Sequence, residues 1–215
     1  MRLDPDADTF AFFGDVDNSL VINAGTGNVV AGHSTAQVLN SFTAKVQSIG
    51  TDASSGFTAA RFSANDGSAK LNFAKSRHAS AGSHTIVADN DTLGDINFTA
   101  SDGTDFGTLP VRIRAEVDDG SPASSSIGGA LTFATAAGAS SDDLAERMRI
   151  DKSGNVGIGV TPNASAKLHV RDTDSDAVFS LESSNSSGRR WSLIASDNGG
   201  FYLKDESVGI RVGVD

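Results

Sequence analysis

Gly32-His33-Ser34-Thr35-Ala36 comes nearest in this chain to a catalytic nucleophile, a serine in a small-residue turn after an apolar stretch. Hydrolases expose their serine on such a strand-to-helix turn. The closing glycine of that turn is missing here, and no Asp-then-His pair follows on an alternating α/β pattern, so a polar turn is the better account. Asp172, Asp174 and Asp176 alternate with Thr173 and Ser175, and Asp4, Asp6 and Asp8 alternate likewise. Carboxylates so spaced are the hard oxygen ligands that Ca²⁺ takes. A calcium loop begun at Asp172 would need glycine where Ala177 stands and a bidentate acid where Ser183 stands, so both runs read as solvated acidic loops. His33, His78, His84 and His169 are scattered, and the nearness of His78 to His84 does not by itself make a ligand set. The glycines of Gly154-Asn155-Val156-Gly157-Ile158-Gly159 are closely spaced, but Thr161-Pro162 breaks the chain where a dinucleotide fold requires a helix. Glycan hydrolysis needs a pair of carboxylates, which the many Asp and Glu residues could supply. It also needs aromatic platforms, and beyond phenylalanine there are just Trp191 and Tyr202. The residues assign no catalytic, cofactor-binding or metal-binding role.

Charge and hydropathy exclude other classes. The net charge is −10, which opposes a phosphate-tracking surface and leaves no nucleic-acid partner. Arg189-Arg190-Trp191 is too small for such a track and reads as a strand with exposed Arg stems beside a buried Trp. No apolar run reaches membrane-spanning length and no signal peptide opens the sequence, so membrane insertion is not expected. Without cysteine there is no disulfide framework and no thiolate metal site.

The elements that would position any site are short strands between Gly, Ser, Asn and Asp turns. Period-2 patterning predicts strands at Thr9–Phe13, Leu20–Asn23, Asn28–Ala31, Lys70–Ala74, Asp95–Thr99, Val111–Val117, Ala130–Thr135, Arg147–Asp151 and Val156–Val160. It predicts further strands at Lys167–Arg171, Ala177–Glu182, Trp191–Ala195, Phe201–Lys204 and Gly209–Val214. Two places compete for helix: Ser34–Gln47, where Val38, Phe42 and Val46 recur every four residues, and a turn or two at Ser140–Glu146.

The sequence also repeats. Gly27-Asn28-Val29-Val30-Ala31-Gly32 parallels Gly154-Asn155-Val156-Gly157-Ile158-Gly159. Ala36-Gln37-Val38-Leu39 is then expected to correspond to Ala166-Lys167-Leu168-His169-Val170, and Ala60-Arg61-Phe62 to Arg189-Arg190-Trp191. A third copy begins at Val208-Gly209-Ile210. Small residues dominate and large apolar ones are thinly spread, so a lone chain could scarcely build a large core. Three intertwined chains sharing one axis would supply it. Glycine at Gly157 and Gly159, on one face of a strand, suits a place where another backbone approaches closely.

Ile150-Asp151-Lys152-Ser153-Gly154-Asn155-Val156-Gly157-Ile158-Gly159 closely resembles a repeat of bacteriophage tail fibres and tailspikes, often found upstream of a self-cleaving intramolecular chaperone domain. Lys75-Ser76-Arg77, Asp91–Phe98, Ser101–Thr104, Ile113–Val117 and Gly129–Thr135 resemble a second fibre signature in collinear order, so the likeness runs from about residue 62 onward. It implies an all-β, elongated, intertwined homotrimeric fibre of short strands and β-hairpins, a structural and host-attaching component of a phage tail with no chemistry of its own. A capsid-decorating fibre or a non-viral adhesin is the alternative, and a glycan-depolymerising spike stands behind both. Residues 1–50 would form an attachment region with the first repeat, 51–146 a β-rich shaft, and 147–215 the second repeat and the start of a third. Trimer-core candidates are Ile150, Val156, Ile158, Leu168 and Val170. Expected partners are two further copies, other tail or baseplate proteins, and a host surface glycan or protein receptor. Assembly would occur in the host cytoplasm, and the resemblance implies that Asp215 lies near a processing point or beside a separate tip protein, a natural stop or a cut being the other readings.

Overall fold

The computed structural model describes residues 2–4, 9–12, 20–23, 27–31, 36–39, 42–51, 55–138, 143–184, 189–197, 199–206 and 209–214. Among these the secondary structure is all β, in fifteen strands: β1 (Arg2–Asp4), β2 (Thr9–Phe12), β3 (Leu20–Asn23), β4 (Asn28–Ala31), β5 (Val46–Ser48), β6 (Thr92–Ala100), β7 (Thr108–Val117) and β8 (Gly129–Thr135). They continue as β9 (Ala145–Ile150), β10 (Val156–Ile158), β11 (Leu168–Val170), β12 (Ala177–Glu182), β13 (Arg190–Ala195), β14 (Phe201–Asp205) and β15 (Ile210–Val214). Three open sheets result, ordered β1-β2-β3-β4-β5, β11-β10-β9-β8-β7-β6 and β12-β13-β14-β15. Two compact units divide the chain, residues 1–74, 97–110 and 137–143 in one and 75–96, 111–136 and 144–215 in the other.

The first two sheets follow one plan. Antiparallel neighbours lead to a strand that begins just after, or one residue past, a left-handed glycine, Gly27 (φ 70°) before β4 and Gly154 (φ 72°) shortly before β10. Each such strand then takes a parallel partner on its far side, β5 on β4 and β11 on β10. The hydrogen bonds match: Val29 N donates to Lys45 O and Ile49 N to Ala31 O, as Val156 N donates to Lys167 O and Arg171 N to Ile158 O. Ala44-Lys45-Val46 therefore corresponds to Ala166-Lys167-Leu168, and the expected match of Ala36–Leu39 to that segment is corrected. The misalignment arose from loop length, since fourteen residues (32–45) join β4 to β5 but nine (159–167) join β10 to β11. The third sheet reaches the same stage, with Gly209 (φ 72°) leading into β15, antiparallel to β14.

The short loop after β10 crosses its own strand. A Cβ on Gly157 would stand 2.1 Å from the Val160 carbonyl oxygen and 3.0 Å from Pro162 Cδ. One on Gly159, at φ +69°, would stand 2.2 Å from the Arg171 carbonyl oxygen. The glycines are thus required by backbone approach, as their place on the strand suggested. Asp151, Asn155 and Lys167 clasp the three strands. Asp151 Oδ1 accepts the amides of Ser153 and Asn155, both at 2.8 Å, and Lys167 Nζ donates to Asn155 Oδ1 at 2.8 Å and to Ser153 O at 3.0 Å.

Other expectations are revised. Neither helix forms among the described residues. Leu39 and Phe42 exchange backbone bonds (2.9 and 3.1 Å), Val46–Ser48 pairs as β5, and Ala145-Glu146 opens β9. A four-residue spacing imitated a helix, but a parallel partner at β4 wins over local propensity. Lys70–Ala74 alternates as a strand should but pairs with none, because no strand of the described chain lies beside it.

Close backbone approach predicts a graded series in denaturant unfolding. Gly159→Ala, strained and blocked, should cost roughly 1–3 kcal/mol or more. Gly157→Ala, blocked by backbone at an ordinary φ, should cost a comparable amount, about 1–3 kcal/mol. Gly154→Ala, with open space around its Cβ position, should lose least, about 1 kcal/mol.

Candidate assembly surface

Strand register gathers apolar residues on one face of the six-stranded sheet. Directly paired residues share a face, so Ala115, Leu131, Ile150, Val156 and Leu168 form one row across β7 to β11. Ile113, Phe133, Met148, Ile158 and Val170 form the next row. All five trimer-core candidates thus lie together on this face. Ile158 is 43% exposed and Leu168 53%, while Ile150, Val156 and Val170 are half-buried. A face with such content would ordinarily be the protected one.

The reverse face is protected instead, and it is small and polar. Ala130, Thr132 and Ala134 are buried there. Arg114 forms a bidentate pair with Asp95 at 2.7 and 2.9 Å. Arg149 bonds Glu116 at 2.5 Å and Glu146 at 3.0 Å. Gly157 and the half-buried His169 continue this face. The Arg114 guanidinium is the main cause that holds the Asp95 carboxyl below the usual carboxylate range.

Both other sheets also expose large apolar residues on one face. In the four-stranded sheet Phe179, Leu193, Leu203 and Val212 form an exposed row, flanked by exposed Leu181, Trp191 and Phe201. Its reverse carries buried Ser192 and Ile194, with Ser180 and Ser192 hydroxyls 2.6 Å apart. In the first sheet Ile22 and Val46 are exposed while Val30 and Gln47 of the opposite face are buried. Gln47 Oε1 accepts from Gln37 N at 2.7 Å, and Gln47 Nε2 donates to Gln37 O at 2.6 Å, which ties the return loop down. Sequence reasoning missed that exposed apolar residues occur on all three sheets and not on one strand pair alone. The alternation along β12 to β15 carried that signal.

The residues considered for chemistry serve local structure. Asp172 Oδ1 accepts the amides of Asp174 and Ser175, and Asp176 Oδ1 accepts from Ser196 Oγ at 2.9 Å and Asp197 N at 3.0 Å. These carboxylates shape turns, and no group of three His, Cys, Asp or Glu able to hold a metal ion occurs among the described residues. His78 Nδ1 accepts the Ser80 amide. Gly32–Thr35, with His33, and Asp6 and Asp8 lie outside the described residues. Arg189 donates to the buried Asp205 at 2.5 Å. Trp191 is 43% exposed, correcting the expectation of a buried ring. The proposed likeness of Ala60–Phe62 to Arg189–Trp191 also fails, since the former lies outside any strand and the latter enters β13.

Several carboxylates are held acidic by bonds that exist in the fold. Asp91 is held well below its ordinary value chiefly by the bidentate Arg77 pair, and Asp151 chiefly by the Asn155 amide. A depressed folded pKa contributes stability that is present above the unfolded value, about 3.9, and lost as pH falls through the folded one. The melting temperature should therefore be nearly flat around neutrality and fall below about pH 4. Asp151→Asn should lower it at pH 7 and flatten the acid limb, as read by circular dichroism across a pH series.

No family model matches the chain, and no curated protein matches it. Among solved structures it is similar to the carboxy-terminal domain of the bacteriophage T5 L-shaped tail fibre, at 10% sequence identity and a TM-score of 0.41, over 74% of this chain and 86% of that one.

Proposed function

We propose that this chain is a structural, host-attaching component of a phage tail fibre and works as a homotrimer without chemistry of its own. The observation that carries the reading is the exposure of large apolar residues on one face of each sheet among the described residues, Ile22 and Val46, Ile158 and Leu168, Phe179 and Leu193. Copies meeting through these faces would gain about 1.5–3 kcal/mol for each large side chain fully covered. The fibre signature at Ile150–Gly159 gives the assembly its context. In this reading residues 1–50 join the fibre to tail or baseplate proteins, and the assembled surface meets a host glycan or protein receptor.

Sedimentation at micromolar concentration should give a trimer, and a stable monomer would end the proposal. Ile158→Asp should disrupt assembly, because it places uncompensated carboxylates within an apolar contact. Immunogold labelling of purified virions should mark tails; labelled capsids would favour a decorating fibre. Incubation with host capsule or lipopolysaccharide should release no reducing sugar, and release abolished by an Asp or Glu substitution would make the chain a depolymerase.

A further inference from the structure

Residues 55–75 are exposed without interruption. Structureless loops longer than about 12–15 residues are uncommon and usually functional or disordered. This one carries Phe57, Phe62, Leu71 and Phe73, with Phe62 99% exposed. Its backbone makes no hydrogen bond to other backbone among the described residues. A local turn organises its middle, where Asn65 Oδ1 accepts from Arg61 Nη2 at 2.9 Å and from Gly67 N at 3.1 Å. Beyond the turn, Ala69, Leu71 and Phe73 alternate with Lys70, Asn72 and Ala74, a strand pattern with no strand partner among the described residues of its own chain.

Its charge points to the occupant. Arg61 and Lys70 against Asp66 give residues 57–74 a charge of +1, with Lys75 next to them, whereas the whole chain carries −10, so the remainder carries −11. A cationic, apolar, strand-patterned segment on an acidic chain complements another copy of that chain in charge as well as in hydropathy.

We propose that residues 57–74 form a strap laid on a second copy of this chain. Residues 69–74 add a strand to one of that copy's open sheet edges, and Phe57, Phe62, Leu71 and Phe73 pack on its exposed apolar sheet face. The proposal rests on the homo-oligomeric reading above and specifies which segment reaches across.

The test combines amide hydrogen exchange on the full chain with the double variant Phe62→Asp/Leu71→Asp. Both residues are exposed in the single chain, so its β-sheet circular dichroism serves as the folding control. In the wild-type oligomer, amides of 69–74 should exchange at least tenfold more slowly than unprotected rates. The folded double variant should need at least a hundredfold higher concentration to assemble. An oligomer whose strap exchanges freely, and whose double variant assembles normally, overturns the strap while leaving the homo-oligomer standing. A wild-type monomer removes both. A double variant that assembles normally but no longer adsorbs to host cells assigns the segment to a receptor and likewise overturns contact between copies. A strap protected in the wild type whose double variant nonetheless assembles normally overturns it too.

Discussion

Backbone crosses backbone behind β10, and that contact decides where bulk can go. The carbonyl oxygen of Val160 occupies the space a side chain at residue 157 would need. With one face of the strand closed to side chains, Val156 and Ile158 must carry its apolar content on the other. Their paired neighbours on β9 and β11 extend that content into rows. The same logic holds where serines take the place of glycine, for Ser180 and Ser192 sit hydroxyl to hydroxyl on the protected side of the last sheet. That side holds Ser180, Ser192 and Ile194, while Phe179, Leu193 and Trp191 stand exposed on the other.

The ion pairs belong to that economy of space. Arg114–Asp95 and Arg149–Glu116 link β7 to β6 and to β9 across the protected face. Both are partly shielded, so they are worth more than fully exposed pairs, though desolvation offsets part of the gain. Directional bonds of this kind fix register on a face whose small residues could slip. The Asp151–Asn155–Lys167 clasp does the same at the turn into β10, binding the loop, the strand and its parallel partner through polar atoms.

Much of this was legible in the residues. Val111–Val117 alternates so strictly that strand and face could both be read, and the glycine spacing after Asn155 foretold a close crossing. The parallel partner of β4 was not legible, because Val38, Phe42 and Val46 share a helical spacing and the pairing residue lies beyond a long return loop. Trp191 was misplaced because ring size ordinarily predicts burial; its exposure follows from what lies on the other side of its strand, which a single sequence does not display. Lys70–Ala74 shows that alternation reports the capacity to pair and says nothing about the partner.

The two return loops differ by five residues, yet the parallel pairings they deliver match bond for bond. The length of this connection is therefore free of the register it closes. Between these two copies a five-residue difference leaves the matching inter-strand bonds in place. One strand pairing thus carries bends of two lengths, and what the bend displays is set apart from what holds the strands together.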